Sequence, residues 1–319
     1  MSSNDTPSKV AMVEVTEDQQ DQRVDNFLLT RLKGVPKSAI YRMIRKGEVR
    51  VNKGRTKPEY KLQPGDMVRV PPARTKQPRS EGAFISPQLQ TQLETAILHE
   101  DDGLIVINKP SGLAVHGGSG VSLGVIEALR AMRPQQKFLE LVHRLDRDTS
   151  GCLMIAKKRS VLKKLHQDLR DDRMNKTYVA LLWGRWKGRQ HRVEAPLKKF
   201  HLASGERVVR VSTEGKPSLT LFRQMRLFEQ ATLVEAKPVT GRTHQIRVHA
   251  QHAGHPIAGD DKYLLREQNQ YFLDHGLKRL FLHAAKLEID LGEGNRQVFE
   301  APLPEDLNRV LEALAKVDS

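Results

Sequence analysis

The sequence predicts an α+β protein: a large domain on a mixed, largely antiparallel sheet, preceded by a small basic module of two helices and short strands. Three observations carry this reading. Segments of strand character outnumber helical ones and do not alternate with them one for one, which argues against a parallel, doubly wound sheet. Positive charge is concentrated: residues 23–79 hold sixteen Lys or Arg against four carboxylates, a net of +12, most of the +15 carried by the whole 319-residue chain. A stretch rich in proline and charge, 71–82, then follows without periodicity and divides the chain.

The bulk properties narrow the function classes. A pI near 9.9 points to a polyanionic partner, nucleic acid or an anionic membrane surface. No apolar run approaches the roughly 18 residues that span a bilayer, and the start MSSNDTPSKVAMVEV lacks the apolar core of a secretion signal, so the membrane reading loses ground. The single cysteine, Cys152, allows no internal disulfide and no multi-cysteine zinc site, and fits a reducing cytoplasm. The expectation is a cytoplasmic monomer that does not associate with membranes.

Taken in order, residues 1–21 are polar and acidic and read as a flexible tail, with Val10–Val15 offering a short edge strand. Residues 22–72 form the basic module. Val24, Phe27, Leu28 and Leu32 recur at helical spacing, Gly34-Val-Pro breaks the chain, and Ser38 caps a second helix striped by Ile40, Met43 and Ile44. Gly47 stops that helix, Glu48–Asn52 alternates as a strand, Asn52-Lys-Gly54 turns, and Met67–Val70 is a further strand. Lys37, Arg42, Arg45, Lys46, Arg50, Lys53 and Arg55 surround the second helix and the turn, where cations can follow a phosphate backbone. So much charge on so small a unit exceeds what solubility requires. The arrangement resembles the alpha-L RNA-binding motif of a small-subunit ribosomal protein and of several RNA-modifying enzymes.

Residues 73–96 read as a linker, and the large domain is expected over 97–319. Leu104–Ile107 is a buried strand, Leu123–Met132 a helix, Cys152–Ala156 an apolar strand, Leu162, Leu165 and Leu169 mark a helix, and Lys176–Leu182 is a strand. Further strands over Leu219–Phe222, Ala231–Ala236 and Leu287–Asp290, a helix entered through Gly241–Ala250, and a last helix over Glu305–Ala315 complete the pattern. Val115-His-Gly-Gly-Ser-Gly120 is glycine-rich but lacks the spacing of a nucleotide-binding loop.

Polar residues gather on turns beside the strands: Asn108–Gly112, the stretch around Asp146, Lys176–Tyr178 and Gly241–His249. They supply a carboxylate (Asp146) set among arginines, an aromatic (Tyr178), no metal set and no nucleotide loop, an inventory for cofactor-free covalent or acid/base chemistry on an anionic substrate. His143, His244, His249, His252 and His255 come without the companion motifs of a metal site, so none is assigned. His143-Arg-Leu-Asp has the look of a kinase catalytic loop, but the glycine-rich loop, the VAIK-like strand and the DFG motif are missing.

HRLDRDTSG, with NKPSGLAVHGG before it and KTYVALL and GRTHQIRVH after it, resembles the signature set of the RluA-type pseudouridine synthases, and the likeness covers nearly all of the chain from residue 22. The resemblance implies the pseudouridine synthase fold and an enzyme that detaches a uracil from its ribose, rotates it and rejoins it through carbon 5, here on uridines of large-subunit (23S) ribosomal RNA, without cofactor. It implies Asp146 as the catalytic residue, Arg247 as the salt-bridge partner holding it ionised, Tyr178 stacking on the uracil, Ile246 packing near it, and Arg144 entering the base stack as the uridine flips out. Leu264 follows Tyr263 where the family often has glycine. Asp148, two residues beyond Asp146, is the rival carboxylate and reads as a turn former or ion-pair partner. A non-catalytic rRNA-binding assembly factor would share the charge and the small module, but gives no reason for the polar clusters.

Overall fold

The computed structural model describes residues 10–32, 34–73, 85–117, 123–201, 207–290 and 296–317. The chain divides into two compact units between residues 82 and 83.

The first unit runs β1 (Ala11–Glu14), a 3-10 turn, α1 (Val24–Arg31), α2 (Lys37–Lys46), β2 (Arg50–Val51), β3 (Gly54–Arg55) and β4 (Met67–Val70). The strands form an antiparallel sheet in the order β1-β4-β2-β3. Val24, Phe27, Leu28, Ile40 and Ile44 from the two helices bury against Val49, Leu62 and Val68, so the apolar stripes read from spacing do form the core. Asn52 and Lys53 both take positive φ, 50° and 67°, the two-residue turn whose twist suits a tight hairpin. One detail differs: α2 begins at Lys37 after Pro36, with no side-chain cap, so Ser38 lies inside the first turn. Proline's fixed φ, and not a serine bond, sets the helix entry. The buried Asp25 carboxylate takes hydrogen bonds from Arg23, Tyr41 and the Asn26 amide, which hold it below the usual carboxylate range against the cost of burial.

The second unit runs α3 (Pro87–Thr95), β5 (Ile97–Glu100), β6 (Leu104–Lys109), α4 (Val125–Met132), β7 (Glu140–Leu141), β8 (Ser150–Ala156), α5 (Arg159–Arg170), β9 (Asn175–Trp183), β10 (Gln190–Glu194), β11 (Leu197–His201), β12 (Arg207–Val211), β13 (Leu219–Leu227), β14 (Ala231–Pro238), α6 (Gln245–His252), α7 (Arg266–Asp274), β15 (Leu282–Asp290), β16 (Arg296–Glu300) and α8 (Glu305–Val317). The main sheet has the order β10-β13-β14-β9-β15-β8-β6-β5, with β7 beside β8 and β16 beside β15. Every neighbouring pair is antiparallel except β15 with β8, at the centre, which makes the sheet mixed and largely antiparallel. β11 and β12 make a separate hairpin.

α3 corrects the expected linker over 73–96. Ser86 accepts the Leu89 amide at its N-terminus, Pro87 opens its first turn, and Leu93 is fully buried with Leu89 beside it in the cluster that includes α4. Two leucines four apart on an otherwise polar segment suffice once there is an apolar surface to receive them.

At the central parallel pair the backbones approach closely. Gly151 has φ 110°, and a Cβ there would fall 2.3 Å from the Ala284 carbonyl oxygen, so only glycine fits. The glycine of DRDTSG is therefore a demand of β8 meeting β15, and it fixes where the turn before β8 delivers Asp146.

Candidate active site

Asp146 stands on the turn between β7 and β8 and lines a cavity of about 590 Å³, within the ~300–1,000 Å³ usual for small-molecule sites. Its side chain is 25% exposed. The turn is clamped by the end of β6, the strand paired beside β8. Lys109, at the end of β6, is fully buried, and its Nζ donates to the carbonyls of Pro110 (2.8 Å), Leu113 (2.8 Å) and Arg147 (2.9 Å). The Gly112 amide also donates to the Arg147 carbonyl (3.0 Å), and Ser111 Oγ to that of Asp148 (2.7 Å). Asn108–Gly112 therefore holds the backbone just past Asp146. Burial pushes the Lys109 pKa down to about 7, opposed by the charges of Asp148 and Asp146, while three carbonyls match the three ammonium protons one for one.

His143 is held as a neutral acceptor: burial, with the Lys176 charge behind it, pushes its pKa down to about 3, and Nε2 accepts the Met154 amide at 3.2 Å. Asp148 turns to Arg147, 3.0 Å away, and does not line the cavity.

α6 carries Ile246 and Arg247, both buried, to the opposite wall. The expected ion pair of Arg247 with Asp146 is present, but it is the longer of two. Arg247 makes its tight, two-pronged bond to Asp260, Nε–Oδ2 and Nη2–Oδ1 each 2.7 Å; its approach to Asp146 is longer, Nη1–Oδ2 3.6 Å. Burial works against the guanidinium's charge, but the hydrogen bonds and charge of Asp260, with Asp146 adding, hold its pKa above the ordinary value. Arg247 is thus anchored by Asp260 and presents its remaining prong to Asp146. The Tyr263 ring packs beneath it, 5.1 Å from the guanidinium carbon.

Tyr178, on β9, is half-buried and lines the same cavity. Burial first, then the Asp146 charge, raises its pKa, so the phenol is neutral. Ile246 and Tyr178 share one apolar cluster. Arg144 is exposed at the rim and makes no ion pair among the described residues. The five residues singled out from sequence thus line one cavity.

Asp260, Lys109 as the clamp, His244 (weighed only as a metal ligand), Tyr263 and Lys176 were not assigned roles. Lys176 lines the cavity, and burial lowers its pKa against the opposing charge of Asp172. A signal for Asp260 was present in its position after Gly259, whose φ of 72° brings it within 2.1 Å, measured from a would-be Cβ, of the Arg279 carbonyl. A turn so tight delivers the next side chain to a fixed place.

On the first unit, Lys37, Arg42, Arg45, Lys46, Arg50, Lys53 and Arg55 are all exposed. None makes an ion pair among the described residues; Lys37 sits over the Tyr41 ring at 5.7 Å, and Arg50 Nε donates to the Gly47 carbonyl.

Comparison with known proteins bears on the whole chain. Residues 103–252 match the family RNA pseudouridylate synthase, and residues 22–68 match the S4 domain. The chain is 58% identical to ribosomal large subunit pseudouridine synthase C of Yersinia pestis, over 96% of each protein. It is 58% identical to the protein of that name from Escherichia coli (strain K12), over 97% of this chain and 98% of the other. Among solved structures, human RNA pseudouridylate synthase domain containing 4 superposes with a TM-score of 0.59 at 27% identity, covering 74% of this chain and 97% of that one. With its cavity around Asp146, its mixed sheet and its amino-terminal S4 domain, the chain belongs to the RNA pseudouridylate synthase family.

Proposed function

We propose that this protein isomerises specific uridines of large-subunit (23S) ribosomal RNA to pseudouridine, with Asp146 as the catalytic residue. The observation that carries the reading is the setting of that carboxylate: in a cavity large enough for a nucleoside, opposite an anchored guanidinium and beside a neutral aromatic. The names of its relatives supply the substrate class.

The reaction is an isomerisation without redox change. The bond from ribose C1′ to uracil N1 breaks, the base rotates, C5 bonds to C1′, and the proton leaving C5 is balanced by one gained at N1. Asp146 attacks the sugar or removes a proton from it. Arg247, fixed by Asp260, keeps the carboxylate charged and in place at no reorganisation cost during reaction. Tyr178 offers a stacking face to the uracil; as a neutral phenol it accepts the C5 proton poorly unless the intermediate activates it. Ile246 closes the apolar side. Arg144, unpaired at the rim, occupies the gap in the base stack once the uridine has flipped. The seven cations of the S4 unit track the phosphate backbone. The protein works without cofactor, as a monomer, in the cytoplasm.

Tritium release from rRNA labelled at uracil C5 tests this, comparing the wild type with Asp146→Ala. Release by the first and none by the second is the expected result. No release by the wild type from naked large-subunit rRNA or from precursor particles would leave a non-catalytic assembly factor, with Asp146 a structural ion-pair partner.

A further inference from the structure

His244 is a cavity group to which the reaction above gives no task, and it is conformationally marked. It immediately precedes α6, with φ 52° and ψ 22°, the left-handed region that few residues with a Cβ adopt. Its surroundings are specific. His244 Nδ1 lies 2.8 Å from the Tyr263 hydroxyl, and that hydroxyl accepts the Val209 amide at 3.1 Å. On the other side of the ring, Nε2 lies 3.8 Å from Asp146 Oδ2, the same oxygen that Arg247 approaches at 3.6 Å.

The bonding favours one tautomer. Since the tyrosine oxygen already accepts from Val209, the acceptor the structure offers its own proton is His244 Nδ1; the imidazole proton then sits on Nε2, facing Asp146. Resting on the reading of Asp146 as the catalytic carboxylate, we propose that Tyr263 and His244 are a positioning pair. Tyr263 locks His244 in the Nε2–H form, and His244 together with Arg247 engages Oδ2 of Asp146, leaving Oδ1 to react with the ribose.

The surroundings support a neutral ring. Burial lowers the His244 pKa; Asp146 and Asp260 oppose this, while Arg247 and Lys262 add to it. A neutral N–H steers the carboxylate without adding a second full positive charge that would quench it. The 3.8 Å separation exceeds a hydrogen bond, and such contacts tighten when substrate fills the site. The other reading is structural: Tyr263 ties the β11–β12 hairpin through Val209, and His244 merely starts a helix.

A double-mutant cycle in steady-state turnover separates the two, using the full-length protein with Asp146→Ala in parallel. His244→Ala is expected to lower kcat about a hundredfold with KM little changed, and Tyr263→Phe, which keeps the ring under Arg247, to lower it about tenfold. The double variant is expected to be no slower than His244→Ala alone, and His244→Gln, which returns an N–H near the Nε2 position, to recover most of the loss. Nitrogen-15 NMR of histidine-labelled enzyme reads the tautomer directly: Nε2–H in the wild type, a mixture in Tyr263→Phe. Additive losses, a His244→Ala enzyme within threefold of wild type, or an Nδ1–H tautomer would overturn the proposal. An inactive wild type would instead sink the proposed function, and the NMR result would still decide the tautomer.

Discussion

Positive charge is held in two different states in this molecule. On the S4 unit, Lys37, Arg42, Arg45, Lys46, Arg50, Lys53 and Arg55 stand in solvent without carboxylate partners among the described residues. In the cavity around Asp146, Arg247 is 5% exposed at its side chain and bound twice to Asp260, and outside it Lys109, fully buried at the end of β6, is spent on three carbonyls. An exposed cation can displace the counterions condensed on RNA and follow a mobile backbone, which gives salt-sensitive grip without fixed geometry. A buried, bonded one cannot move, and it gives geometry in place of grip. On the proposed function the two units divide holding from chemistry, and substitutions should separate them.

The largest separation is expected at Asp146. Asp146→Asn should lower turnover by about 10⁴-fold or more while RNA affinity, measured by filter binding, stays close to wild type; a large loss of affinity would show that the cavity itself grips. Next comes Asp260→Asn, which leaves Arg247 buried without its two-pronged partner. It should cost about 3–5 kcal/mol in chemical denaturation, and turnover should fall about a hundredfold as the guanidinium loses its aim.

A pH experiment distinguishes the units in another way. All twelve histidines lie at or beyond residue 99, none in the S4 unit, and burial lowers the pKa of His143, His244, His249 and His283. Below pH 6.5 the unfolded chain binds a proton at His143 that the native chain refuses until about pH 3. The stability from that neutral ring is complete above 6.5 and drains away as pH falls, by about 1.4 kcal/mol per pH unit. Tryptophan fluorescence follows the catalytic unit alone, since Trp183 and Trp186 are the only two. Its melting should weaken from pH 6.5 to 5, and the slope should be shallower in His143→Gln. The smallest effect is expected from replacing Arg42, Arg45 and Lys46 together by Gln. The salt dependence of binding should flatten by about two phosphate equivalents and affinity should drop about tenfold, with kcat at saturating RNA unchanged.

What the sequence revealed follows the same physics. Apolar periodicity exposed the helices of the S4 unit and the buried run of β8, because both are set by local spacing. The segments bearing Asp146, Tyr178, Ile246 and Arg247 were legible as polar clusters expected on turns, but only Asp146 stands on one; Tyr178 lies on β9 and Ile246 and Arg247 on α6. Their partners were not legible. Asp260 meets Arg247 only after α6 ends and the chain doubles back at Gly259, and Lys109 meets the Arg147 carbonyl across 38 residues. No local pattern encodes such meetings, nor did two leucines in a polar stretch announce α3. Nothing local marks Tyr263 as the residue whose hydroxyl stands between Val209 and His244.

The pairing of β8 with β15 at Gly151 and Ala284 joins residues 133 apart, in the middle of the sheet. Seen as an order of events during synthesis, this has a consequence. The S4 unit is complete by about residue 72, whereas the strand that seats Asp146 has no central neighbour until residues 282–290 have emerged. Units of a chain fold as they leave the ribosome, amino-terminal first. A nascent copy would thus be able to hold RNA well before it could modify it, and a product truncated before β15 would be a binder without chemistry.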